Sequence, residues 1–132
     1  MQHNREEGLV VPRVIHFELV SNDPEATEKF YEEVFGWKTQ KWEGPMEYWF
    51  LATGDPETPG IDGAFGQRRS PDDVVVDTIG VADIDRHVRL IEDNGGEIVR
   101  SKSAVPGVGW LVYFKDTEGN LWGMMQDDPA AK

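Results

Sequence analysis

His16 and Glu18 are the residues of this chain whose types and spacing offer chemistry most directly. Side chains two apart in a β-strand share a face, so the imidazole at 16 and the carboxylate at 18 reach into one space. Set close together, the carboxylate favours the charged imidazolium, and such a pair can hold a ligand or move a proton. Other nucleophilic and cofactor chemistries lack their residues. Cysteine is absent, which removes thiolate nucleophiles, disulfides and Cys-based metal sites. There is no Ser-His-Asp order and no zinc-protease helix, and the glycine-rich pieces GIDGAFG and EGNLWG do not lead from a strand into a helix with dinucleotide spacing. Flat side chains are the second resource. Trp37, Trp42, Trp49, Trp110 and Trp122, with Tyr48, Phe50, Phe65, Tyr113 and Phe114, fall on or beside strand-like segments, and most are expected in the core.

The elements that must position these groups are legible in the stretch Val14 to Trp37, VIHFELVSNDPEATEKFYEEVFGW. Ile15, Phe17 and Leu19 alternate with His16 and Glu18, so one strand face is apolar and the other ionisable. Asp23 can cap a helix with Pro24 at its first position, Glu25 in the first turn and Gly36 at its end. Phe30, Tyr31, Val34 and Phe35 then fall at helical spacing and can pack on the apolar strand face. The second half repeats the plan. Val74 to Val81 is a strand-like run, Asp83 can cap, Ile84, Val88 and Ile91 form a helical stripe, and Gly95-Gly96 ends it. Strand-like segments follow each helix: Trp37 to Trp42, Glu47 to Ala52 and Ile61 to Gln67, then Glu97 to Ser101, Trp110 to Phe114 and Leu121 to Gln126. The repeat, with a period of about sixty residues, predicts two βαβββ modules in one α+β domain.

Composition sets the limits. A chain of 132 residues with 39% hydrophobic content supports one domain with its own core. Its net charge of −12 opposes nucleic acid and anionic membrane, because both recruit positive charge. Residues 1–12 lack the apolar run of a signal peptide and read as a flexible lead-in, with His3 in a polar context. The expectation is a cytoplasmic protein, with 13–127 as the domain, modules at about 13–68 and 73–127, and 128–132 as a tail. Ser103 to Gly109, SAVPGVG, reads as a loop able to move over the site.

His16 in an N-terminal strand, the helix end FYEEVFGW, the run GVADIDRHVRLIEDNGGEIV and the closing KDTEGNLWGMMQ together resemble the glyoxalase/bleomycin resistance/extradiol dioxygenase superfamily, the vicinal oxygen chelate proteins. The resemblance covers residues 13 to 127. It implies two modules whose mixed sheets curl around a cleft, a homodimer, and in metal-dependent members a divalent ion, Zn, Ni, Mn or Fe, held by side chains at equivalent strand positions. His16 matches the first such position, and Asp77 is its counterpart when the two strand ends are aligned. Two further positions reach Gly63 and Gly123, which have no side chain to offer. The ligand set is therefore short of three, and no cofactor is assigned. With the metal set incomplete, the expectation is a small organic ligand in an aromatic cleft lined by His16, Glu18, Trp49, Phe65 and Trp110, the glycines leaving room for it, with His16 the candidate catalytic residue. The alternative is a metal-dependent lyase, isomerase or dioxygenase acting on vicinal oxygens through His16 and Asp77.

Overall fold

The computed structural model describes residues 12–132; the expectations for the lead-in and His3 lie outside them. In order, the described elements are β1 (Arg13–Ser21), α1 (Pro24–Phe35), β2 (Lys38–Lys41), β3 (Tyr48–Ala52), β4 (Gly63–Gln67), β5 (Val76–Gly80), α2 (Ile84–Asp93), β6 (Glu97–Val105), β7 (Gly109–Lys115) and β8 (Leu121–Asp127). This is the α+β, twice βαβββ order read from the repeat. The described residues fall into two compact units, His16–Val76 and, together with residues 12–15, Asp77–Lys132. Among the described residues no helix is long and apolar enough to cross a membrane.

In the first unit the strand order is β2-β3-β4-β1, antiparallel except where β1 runs parallel to β4. Asp23 caps α1 by accepting from the Ala26 N–H at 3.2 Å, and Gly36 closes it with φ of 73°, a left-handed turn that glycine adopts without strain. α1 lies on the Phe17 side of the sheet. The Phe17 and Trp37 rings approach to 6.2 Å, Tyr31 stacks on Trp37 at 5.2 Å, and the Thr39 hydroxyl donates to Glu28 of α1. Leu51, Ala64 and Phe65 are the buried hydrophobic residues of this sheet.

The second unit repeats the arrangement as β5-β8-β7-β6, with β5 parallel to β8. Asp83 caps α2 through the Arg86 N–H at 3.0 Å. Val81, Ile84, Val112, Phe114 and Met124 form its buried core, with Ile79, Val88 and Trp110 packed against them. In this unit the stretch SAVPGVG lies within a hairpin: β6 continues to Val105, β7 begins at Gly109, and Gly107 with φ of 76° makes a tight turn between them. The C-terminal residues fold back on that turn. The Gly107 N–H donates to the Ala131 carbonyl at 3.0 Å, the Asp128 N–H to that of Val108 at 2.9 Å, and Ala131 is 2% exposed. Backbone groups at the hairpin tip had no partner along their own strands, and the returning chain satisfies them.

Candidate functional site

Strand pairing decides which residues share a face. In the first unit Phe17 pairs with Gly63, Glu18 with Ala64 and Leu19 with Phe65; Tyr48 pairs with Gly66, Trp49 with Phe65 and Phe50 with Ala64. Directly paired side chains project to the same side, so Phe17, Leu19, Gly63, Phe65, Trp49 and Leu51 lie on the α1 side. The opposite, helix-free face carries His16, Glu18, Ala64, Gly66, Tyr48 and Phe50. Trp42 joins them, because its N–H donates to the Tyr48 carbonyl at 2.8 Å and so continues the β2–β3 ladder. Ala64 and Gly66 are small and leave a lane across β4 over which Tyr48 reaches β1.

At the end of that lane the Tyr48 hydroxyl donates to Glu18 Oε2 at 2.6 Å. His16 Nε2 stands 3.4 Å from the same hydroxyl and 3.5 Å from Glu18 Oε2. The His16 and Glu18 side chains are 30% and 37% exposed, so the group is half-buried and open to a ligand. Burial taken alone would raise the Glu18 pKa, but hydrogen bonds with His16 and Tyr48 and attraction to the imidazole outweigh it and hold the carboxyl below the ordinary glutamate value. Aromatic rings flank it. The Tyr48 ring meets Trp42 at 5.9 Å and 76°, and Phe50 at 5.7 Å and 87°, both edge-to-face, and Phe50 is 45% exposed. An ionised carboxylate, an imidazole and a phenol between aromatic walls can hold a polar organic molecule and exchange a proton with it.

Of the residues expected to line the site, His16 and Glu18 are brought together. Trp49 and Phe65 are not with them: they stack on each other at 5.3 Å and 7° on the α1 side, and Phe65 is 0% exposed. In the second unit Trp110 belongs to the core of the α2 side. Its indole N–H donates to Asp128 at 3.0 Å and the Lys102 ammonium, paired with Asp85, sits 4.9 Å from its ring. Tyr48 was missed, because alternation permits either Tyr48 or Trp49 on the face of His16 and Glu18, and only the register of β3 against β4 chooses.

The helix caps also correct the comparison between modules. Seven residues before the caps Asp23 and Asp83 stand His16 and Val76, and Glu18 corresponds to Thr78. Asp77 corresponds to Phe17 and falls on the side of Ile79, towards the α2 core, because Thr78 and not Asp77 pairs with Gly123. Neither glycine leaves room for a ligand. A Cβ at Gly63 would lie 2.5 Å from the Phe17 carbonyl oxygen and 2.6 Å from its ring, and one at Gly123 would lie 3.0 Å from Thr78 Oγ1 and 3.5 Å from the Tyr113 ring.

A divalent ion asks for about three protein ligands. Among the described residues no three His, Cys, Asp or Glu side chains are placed to share one ion, and His16 and Glu18 supply two that already engage Tyr48. The residues present do not fit a resident metal. This unit also has a groove of about 410 Å³ on the α1 side, lined by Leu19, Ala26, Thr27, Phe30, Arg68 and Val75 among others, and a small concavity among Thr53, Asp55, Thr58 and Asp62. Asp23 and Tyr31 also line the groove, and its Arg68 guanidinium donates to the Asp73 carbonyl at 2.8 Å.

The family model described as Glyoxalase/Bleomycin resistance protein/Dioxygenase superfamily matches residues 13–124. Solved structures share the fold. A hypothetical protein from Bacillus halodurans C-125 is 15% identical with a TM-score of 0.68, covering 92% of this chain and 98% of its own. A variant of Streptomyces coelicolor methylmalonyl-CoA epimerase, in complex with 2-nitronate-propionyl-CoA, is 19% identical with a TM-score of 0.65 over 87% of this chain and 96% of its own. A superfamily member from Vibrio splendidus 12B01 is 20% identical with a TM-score of 0.62 over 89% and 100%. No curated protein matches the chain.

Proposed function

Because the chain belongs to the Glyoxalase/Bleomycin resistance protein/Dioxygenase superfamily, a scaffold whose function must be argued from its site, we propose that it binds a small organic molecule on the helix-free face of its first module. His16, Glu18 and Tyr48 supply the polar contacts, and Phe50 and Trp42 supply the walls. One observation carries the reading: the 2.6 Å hydrogen bond that ties Tyr48 to Glu18 beside His16 on a face left open by the helix. The bond fixes a carboxylate and a hydroxyl in advance, so a ligand meets them with less ordering cost. Chemistry through a metal has no complete ligand set among the described residues and is not part of the proposal. Cytoplasmic residence and a homodimer belong to the same reading, supported by the cysteine-free, acidic composition and by the family respectively.

The test is NMR shift mapping of a small-molecule fragment set on the full chain. Fragments are expected to move the amides of His16, Glu18, Tyr48 and Phe50, and to lose affinity in the Glu18→Gln variant. Fragments that gather instead in the groove beside Phe30 and Arg68, with those amides unmoved, would overturn it.

A further inference from the structure

We infer that the ligand of this face is an organic cation, a protonated or quaternary amine seated between the Glu18 carboxylate and the rings of Tyr48, Phe50 and Trp42. The inference rests on the site proposed above and names the class of molecule it takes. Charge is the first argument. Among the described residues, the titratable groups at the helix-free strand positions of this unit include Glu18, His16 and Tyr48, with Lys38 at the far end of β2 opposite Ala52 and Asp62 two residues before Ala64. At the centre of that set is a carboxylate that hydrogen bonds keep ionised, so an anion placed there meets like charge. An acyl-CoA of the kind bound in the Streptomyces coelicolor structure carries phosphates, and among the described residues no arginine occupies the strand positions that share the face of Glu18, Ala64 and Tyr48.

Ring geometry is the second argument. Tyr48 stands nearly perpendicular to both Trp42 and Phe50, so the three rings form walls at right angles rather than one flat stack. Perpendicular rings present faces on more than one side of a compact group, and a ring face attracts a cation through its quadrupole when the centroid lies within about 6 Å. A flat neutral ligand would be better served by parallel slots. Phe50 is the wall most open to solvent, whereas Tyr48 is held by its bond to Glu18, so the carboxylate and the nearest ring keep their relative positions before a ligand arrives. The whole chain adds to this. A net charge of −12 raises the local concentration of cations and repels anions.

The experiment uses three probes of one shape: choline, its neutral isostere 3,3-dimethylbutan-1-ol, and the anion 3,3-dimethylbutanoate, each titrated into the full chain and followed at the β1 and β3 amides. Choline is expected to bind about tenfold more tightly than the alcohol, and the carboxylate more weakly than either. Glu18→Gln should bring choline and alcohol to similar affinity. Phe50→Leu, which keeps an apolar side chain at an exposed position, should weaken choline severalfold and leave the alcohol nearly unchanged. If the alcohol or the carboxylate binds at these amides as tightly as choline, the cation inference falls and the binding face stands. If none of the three moves them while fragments of the earlier screen do, the inference again falls alone. If nothing moves them, both fall.

Discussion

Replacing Tyr48 by Phe removes one oxygen from the site and leaves its ring between Trp42 and Phe50. The lost contact is a 2.6 Å hydrogen bond to an ionised carboxylate. Bonds to charged groups contribute about 1.5–3 kcal/mol net when sheltered. Glu18 is 37% exposed, so water replaces part of the loss, and the expected destabilisation is about 1 kcal/mol. For a domain of this size that is about 3–5 °C in Tm. The pH dependence follows from the lowered Glu18 pKa. A carboxyl whose folded pKa is depressed adds stability that is present above its unfolded value, about 4.3, and is lost as pH falls through the folded value. The gap between wild type and Tyr48→Phe should therefore be full at neutral pH and shrink on acidification below the ordinary glutamate range. Asp116 and Asp128 are also held below the usual carboxylate value, by hydrogen bonds from Asn120 and Trp110 respectively, and both proteins lose those contributions alike. Paired thermal melts across this range, with a carbon-detected titration of the Glu18 carboxyl, make the assay. The titration midpoint should rise in the variant. A gap that is constant with pH, or a midpoint that does not move, refutes the reasoning.

Two further outcomes are expected. Gly63→Ala should cost about 1–3 kcal/mol in urea unfolding, because its Cβ would press on the Phe17 carbonyl and ring; an unchanged midpoint would show that Phe17 does not fill that space. Protein incubated with Zn, Ni, Mn or Fe(II) and then desalted should retain well under one ion per chain by elemental analysis, since the described residues offer no set of three ligands. Stoichiometric retention would overturn the ligand count and restore the metal-dependent alternative.

Local signals in the sequence were sufficient for much of this architecture. Asp23 with Pro24 and Gly36, and Asp83 with Gly95, bracket both helices within a residue or two of where they stand, because a cap acts through atoms a few residues away. The alternation of Ile15, Phe17 and Leu19 with His16 and Glu18 placed the imidazole and carboxylate on one face, because a strand's period of two is a property of its own backbone. Order and spacing of the motifs also carried the family. What the sequence left open was every pairing across strands. Trp49 or Tyr48 beside Glu18, Gly63 or Ala64 on the functional face, and Asp77 or Thr78 as the second module's counterpart are each one residue apart, and a one-residue slip turns every side chain of a strand to the other side. The turns that set those registers, such as the eight residues TGDPETPG before β4, carry no fixed count from which to read them. The hairpin tip at Gly107 and Ala131 meet although they stand 24 positions apart along the chain. Residue types and local spacing thus determined which ionisable and aromatic groups this protein has and which helices and strands carry them; the tertiary structure alone decided that Tyr48 meets His16 and Glu18, because hydrogen bonding between strands is non-local and selects the face.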